Sequence, residues 1–316
     1  DTEGDTLLYS RKLEAGIEIA PLIQTGAINI TKLEWEGLKA DVSRTEQSGK
    51  FNYEFLIEAF VAQDGAVSVE PDPAIQDTTK ALSITLSPIK LKDFDLRYLD
   101  EVLGIDAYFK LESMEVEVPV LNLDESKYRI SNFSLHNSQI SYTQTKPFEP
   151  SEEDSVESVL PFLILDKLQL DDVTLNYHNT VDRTRANLAI DKFTLLAPMI
   201  DLQNQQINIT SVGLSDSKIL FYDFAIKEAV QEVAESIPFI WPDWEVQVSK
   251  LSLANTTVDF KTVDEAITQG YFNPEVLSIQ DLGLDASDIF LKDKKAGLKV
   301  SGAGFSEGGG FELKNL

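Results

Sequence analysis

Residues 163–177 read Leu163-Ile164-Leu165-Asp166-Lys167-Leu168-Gln169-Leu170-Asp171-Asp172-Val173-Thr174-Leu175-Asn176-Tyr177. Leu163 and Leu165, then Leu168 and Leu170, then Leu175 and Tyr177 alternate with polar residues. Alternation at period two is the signature of a β-strand with one apolar and one wet face. The same six-position spacing begins at Ile28, Ile84, Tyr128, Leu163, Leu188, Ile207, Val246 and Leu277. Eight copies predict a long sheet whose apolar side has to be covered by something. What covers it decides the function.

The copies start between 19 and 56 residues apart. A parallel β-helix coils at a near-constant period, so this irregularity argues against one. Meandering antiparallel strands fit better, and Met114 to Val118 and Leu298 to Val300 alternate in a way that supplies return strands. Within each copy two steps are odd, and an odd step moves the chain to the other face unless it bulges or turns. A two-residue hairpin at the longer gap would put Leu38, Phe94, Val173 or Pro198 at central positions, where positive φ suits them badly. The reading is therefore a bent, bulged strand that returns to the same face. The fold class that follows is mainly β: an elongated, curved antiparallel sheet with a few short helices. Two strands per copy, sixteen in all, would extend about 75 Å at the usual strand spacing.

Two helices are expected. Asp223 can cap one running to about Ser236, with Ile226, Val230 and Val233 on one face and Pro238 as its stop. A shorter one spans Phe51 to Phe60. Glu149 to Glu157 is acidic and reads as an exposed loop. The near-repeat of Glu157-Ser158-Val159-Leu160-Pro161-Phe162 at Glu235-Ser236-Ile237-Pro238-Phe239 suggests duplicated units, with an internal boundary near 145–160 in a single segment spanning 1–316. Residue 1 is Asp, and the text around it already reads as domain interior, so the segment is expected to be excised from a longer chain.

The 316 residues carry a formal net charge of −26, from 53 acidic and 27 basic side chains. Such a surface repels phosphate backbones and argues against nucleic-acid binding. The chain has no cysteine, which excludes disulfides, thiolate catalysis and Cys-ligated metal. No stretch approaches the ~20 apolar residues of a membrane span.

Catalytic constellations are missing. The two histidines, His136 and His178, lie in polar stretches and read as surface residues. The glycine-rich Gly302 to Gly310 lacks a strand-to-helix setting and reads as a flexible loop. Asp281, Asp285 and Asp288 have the wrong spacing for an EF-hand and read as solvent-exposed. The aromatic residues that close the copies, Tyr98, Tyr142, Tyr177, Phe221 and Phe260, read as strand packing. No enzyme activity and no cofactor is expected.

Three stretches carry a family resemblance: Gly4-Asp5-Thr6-Leu7-Leu8-Tyr9, then Ile28-Asn29-Ile30-Thr31-Lys32-Leu33-Glu34-Trp35-Glu36-Gly37, then Gly49-Lys50-Phe51-Asn52-Tyr53-Glu54-Phe55. Together they resemble the N-terminal part of TamB proteins, in a variant similar to that of Bacteroidota. The later strand motifs resemble those of the wider AsmA-like group. The resemblance implies a periplasmic segment of an inner-membrane-anchored protein, with the anchor upstream of residue 1. It further implies a taco-like β-groove, open along one side, that moves phospholipid between inner and outer membranes. A TamA-like outer-membrane barrel protein would be a partner, through regions outside this segment. The alternative is a chaperone-like scaffold for outer-membrane protein assembly that conducts no lipid.

In the groove reading, the fourth and fifth positions of successive copies line the path: Leu135, Ile140, Leu170, Leu175, Leu195, Ile200, Leu214, Ile219, Leu253, Val258, Leu284 and Ile289. The helix carrying Ile226, Val230 and Val233 would lie over this face as a lid.

Overall fold

The computed structural model describes residues 7–18, 28–55, 83–123, 125–148, 160–224, 241–314 and 316. Its strands in chain order are β1 (Leu8–Tyr9), β2 (Lys12–Glu18), β3 (Ile28–Glu36), β4 (Lys39–Arg44), β5 (Ser83–Asp100), β6 (Ile105–Asn122), β7 (Lys127–Ile130) and β8 (Asn132–Gln144). There follow β9 (Phe162–Asn179), β10 (Thr184–Asp201), β11 (Gln206–Ser215), β12 (Lys218–Asp223), β13 (Glu245–Lys261), β14 (Val276–Lys292), β15 (Lys295–Glu307) and β16 (Glu312–Leu313). All sixteen belong to one sheet.

The sheet is mixed rather than antiparallel. β3 and β4 run parallel to β5, β7 and β8 parallel to β9, and β11 and β12 parallel to β13. Tight hairpins join β5 to β6, β9 to β10 and β14 to β15; the last turns through Asp293 and Lys294, both at positive φ. After β4, β8 and β12 the chain instead re-enters the sheet at the opposite end of the neighbouring strand, so those neighbours pair in parallel. The result is a three-strand repeat of forward, return and forward strands, each repeat joined to the next by a parallel pair. Because β3/β4, β7/β8 and β11/β12 are each one line interrupted by a kink, the sheet from β2 to β15 is eleven strand positions wide. At ~4.8 Å per strand that is roughly 48 Å, not 75 Å.

Six of the eight spacing copies lie on forward strands; those beginning at Leu188 and Leu277 lie on the return strands β10 and β14. The odd step at the four-residue gap is resolved the same way in all six forward copies. The second residue of the four-residue gap takes the left-handed conformation: Gly37 (φ 68°), Asp93 (51°), Asn137 (42°), Asp172 (53°), Asp216 (51°) and Asn255 (46°). Gly, Asp and Asn are the residues that tolerate this region, the last two through local hydrogen bonding of a short polar side chain. Each kinks its strand and brings the following residue back to the apolar side.

Those following residues form a crease across the sheet. Leu38, Phe94, Ser138, Val173, Ser217 and Thr256 are all buried, and on the return strands Leu111 and Ile190 fill the same line. Where the crease residue carries a hydroxyl, it donates back across the kink. Ser138 Oγ reaches the His136 carbonyl at 2.7 Å, Ser217 Oγ the Ser215 carbonyl at 2.7 Å, and Thr256 Oγ1 the Ala254 carbonyl at 3.1 Å. These bonds remove the penalty of burying a polar group.

Helices are absent among the described residues, apart from a single turn beginning at Glu54. Asp223 is the last residue of β12, and the helix expected to follow it lies outside the described residues. Ile226, Val230 and Val233 lie outside the described residues, as do 56–60 of the shorter expected helix and the acidic stretch 149–157. Gly302 and Gly304 are strand residues of β15, with Gly304 paired to Gly283, so the expected loop there is confined to 308–310.

Candidate functional site

The candidate site is the apolar side of the sheet along the crease. On one arm, Leu91, Met114 and Leu170 pack against Leu38, Phe94, Leu111, Leu135 and Val173; on the other arm, Ala40, Ile140 and Leu175 pack against the same cluster. Leu170 and Leu175 therefore share one side despite the odd step between them. The two arms meet over Val173, which is 1% exposed.

Register extends this arrangement across the sheet. One row steps Trp35, Leu91, Met114, Leu135, Leu170, Phe193, Leu214, Leu253, Leu284, one residue per strand. On the other arm a row steps Ala40, Leu96, Phe109, Ile140, Leu175, Leu188, Ile219, Val258, Ile279. Neither row contains a polar residue. Of the twelve positions expected to line the path, Leu135 is buried and the other eleven are half-buried. Among the described residues no second sheet or helix lies over them.

Nine of those twelve occupy the two crease-flanking rows. Leu195, Ile200 and Ile289 do not, because β10 and β14 run opposite to the forward strands and invert the order of positions. Leu195 aligns with Leu168 and Val212, Ile200 with Leu163 and Ile207, and Ile289 with Val248. The residues that truly continue the rows on β10 are Phe193 and Leu188.

The aromatic residues close the second arm. Tyr142 stacks on Tyr177 with centroids 5.8 Å apart and planes at 4°, and Phe221 on Phe260 at 6.1 Å and 7°, each pair joining two parallel strands. Beyond them comes a polar limit two residues further along each strand. Tyr98 Oη donates to Asp100, Tyr142 Oη bonds Gln144, and Asn179 donates to Tyr177 Oη at 3.3 Å. Asp100 is fully buried and gripped by the Nε–Nη2 edge of Arg44, whose guanidinium carbon lies 4.7 Å from the Phe51 ring centroid. Burial pushes the Asp100 carboxyl up, but the hydrogen bonds from Arg44 and the Leu103 amide outweigh it and hold the group below its ordinary range. Asp100 and Asn179 also organise the following turns, accepting from Leu103 and from Val181 and Asp182.

The opposite side of the sheet is wet and charged. Lys90–Glu115 (3.4 Å), Arg97–Asp106 (3.3 Å), Arg129–Asp166 (2.9 Å) and His136–Asp171 (3.0 Å) bridge neighbouring strands there. Such exposed pairs contribute little to stability and serve mainly solubility. Asp281, Asp285 and Asp288 are all exposed, Asp281 and Asp288 at positive φ. Among the described residues no group of three His, Asp or Glu side chains is placed to hold a metal ion.

The sequence predicts a bent, bulged strand at the gap, but the buried crease residue inside that bend escaped its reading. Its signal was present: Gly, Asp or Asn stands at the second gap position of all six forward copies. The polar limit at Asp100, Gln144 and Asn179 was missed too. Each lies two residues after an aromatic closer, where continued alternation would demand an apolar side chain. Comparison of the chain with protein-family models, with curated proteins and with solved structures found no match.

Proposed function

We propose that the apolar side of the sheet carries phospholipid acyl chains, in a periplasmic segment of an inner-membrane-anchored bridge between the two membranes. The observation that carries this reading is the pair of unbroken apolar rows flanking the crease, half-buried except at the buried Leu135. Moving a sixteen-carbon acyl chain through water costs on the order of 12 kcal/mol, at about 0.8 kcal/mol per methylene. A continuous apolar path removes most of that barrier. The rows run perpendicular to the strands, so cargo would travel along the crease while the polar residues beyond the aromatic closers mark the rim. The TamB-like stretches support the same assignment, with a TamA-like barrel protein as partner.

The test is native mass spectrometry of the purified protein for co-purified phospholipid, combined with lipid crosslinking of Leu170→Asp, Ile219→Asp and Val258→Asp. A half-exposed position leaves a carboxylate partly hydrated, so these variants should fold and lose lipid. Collapse of stability at all three sites, with no lipid on the wild type, would replace this reading by the scaffold.

One observation favours that second reading. Both sheet edges expose apolar side chains: Leu13 and Ile17 on β2 (54% each), Leu298 and Val300 on β15 (56% and 41%). Open edges of this kind template added strands.

A further inference from the structure

On the polar side, where β9, β10, β12 and β13 end together, basic residues gather in a chain that is otherwise strongly acidic. His178 aligns with Arg185, Arg185 with Tyr222, and Tyr222 with Lys261, one residue per strand. Arg183 joins them from the turn before β10. A recess of about 330 Å³ opens here, lined by His178, Thr180, Arg183, Arg185, Tyr222 and Phe224. Among the described residues neither Arg183 nor Arg185 faces a carboxylate at 4 Å or less, as Arg97 and Arg129 do.

Both guanidinium groups are held in place by neutral partners. Arg185 donates from Nε to the Asn187 side-chain oxygen at 2.8 Å, which leaves its two terminal nitrogens free as a fork. The Arg183 guanidinium carbon lies 6.0 Å from the Phe224 ring centroid, and Lys261 Nζ 5.6 Å from that of Tyr222. The acids next in sequence to the recess residues have other partners: Asp182 accepts from Asn179 at 2.7 Å and Asp223 from Thr184 at 3.3 Å. The Arg185 fork, with a second guanidinium and an imidazole lining the same recess, matches a tetrahedral oxyanion, which accepts paired hydrogen bonds from arginine. The recess is larger than one bare ion requires, and its Tyr222 and Phe224 wall offers apolar surface to an organic group.

We propose that this recess binds a phosphate ester, its phosphate held by Arg183 and Arg185 beside His178. The site lies on the face opposite the apolar rows and does not depend on the acyl-chain reading. The same chemistry could come from a soluble metabolite or from a lipid headgroup.

The protein has two histidines, and His136 is tied to Asp171 at a separate place on the sheet, so proton NMR of the imidazole signals reads the site with an internal control. Wild-type protein is titrated at fixed pH with inorganic phosphate, with glycerol 3-phosphate, and with phosphatidylcholine vesicles lacking or containing phosphatidylglycerol. The expected result is a saturable shift or broadening of the His178 signal alone, weakened by added salt. Affinity should fall about tenfold or more in Arg183→Gln/Arg185→Gln and stay unchanged in Lys299→Gln. A response to glycerol 3-phosphate identifies a soluble ester; a response only to phosphatidylglycerol vesicles identifies a headgroup. Silence of His178 towards every probe, or equal binding by the double variant, overturns the proposal. Should that variant not fold, the wild-type titration decides alone.

Discussion

The side-chain amide of Asn255 donates to the carboxylate of Asp216 at 2.8 Å, joining the left-handed residues of two neighbouring parallel strands. The contact ties one kink to the next, and it runs along the outside of the crease whose inside is Ser217 and Thr256. Kinks aligned in this way bend the sheet without costing it register. In the β8–β9 pair, His136 still faces Asp171 before the kinks and Ser138 still faces Val173 after them.

The left-handed positions should be testable one at a time. Asp172 is exposed and at φ 53°, so its substitution probes backbone conformation with little lost packing. A β-branched residue is strained there, and we expect Asp172→Val to cost about 1–2 kcal/mol while Asp172→Gly stays within about 0.5 kcal/mol. Urea unfolding midpoints check both.

Crease and rows should respond differently to charge. Val173 is 1% exposed, and Val173→Asp buries a carboxylate without a partner, at a cost of about 3 kcal/mol or more. Leu170 is half-buried, and Leu170→Asp should cost clearly less. Thermal melts of the two variants side by side read the difference. Equal losses would mean that the rows are closed core.

Acid should weaken the rim through Asp100. Its folded carboxyl lies below the ordinary value, so it contributes stability above about pH 4 that is lost as pH falls through the folded value. In Asp100→Ala the step in stability below pH 4 should shrink, and at pH 7 the variant should be about 3 kcal/mol less stable because Arg44 loses its buried partner. Unfolding measured between pH 2.5 and pH 7 gives both numbers.

Alkali should act on three tyrosines. Burial, helped by Asp100, Asp95 and Tyr177 respectively, raises the phenols of Tyr98, Tyr108 and Tyr142. A raised folded value means that stability is present below about pH 10 and is lost as pH rises through it. Ultraviolet titration should show phenols ionising above the ordinary tyrosine range, and Tyr142→Phe should remove one such group.

Period-two alternation made the strands and their apolar side legible, because burial on one face acts on every second residue whatever the partner strand. Strand direction left no such mark. The spacing at Leu188 looks like a forward copy, yet the chain there runs backwards, so Leu195 and Ile200 were assigned to rows that Phe193 and Leu188 actually fill. Parallel pairing was hidden for a related reason: it depends on where 45–82, 145–161 and 224–244 carry the chain, and nothing in Leu163 or Val246 encodes that. The buried crease was legible only through its neighbours. Ser138, Ser217 and Thr256 look like surface residues until Asn137, Asp216 and Asn255 are recognised as kinks.

The three-strand repeat sets how a protein of this design can change in size. A unit that enters and leaves in the same direction can be duplicated or deleted whole, with every left-handed residue and every apolar row meeting its counterpart. Removing a single strand would reverse the direction of all that follow and set return strands where forward ones belong. Length in such a lineage is therefore quantised, in increments of about 14 Å for three strand spacings, and the span between two anchoring points would be adjusted by counting units.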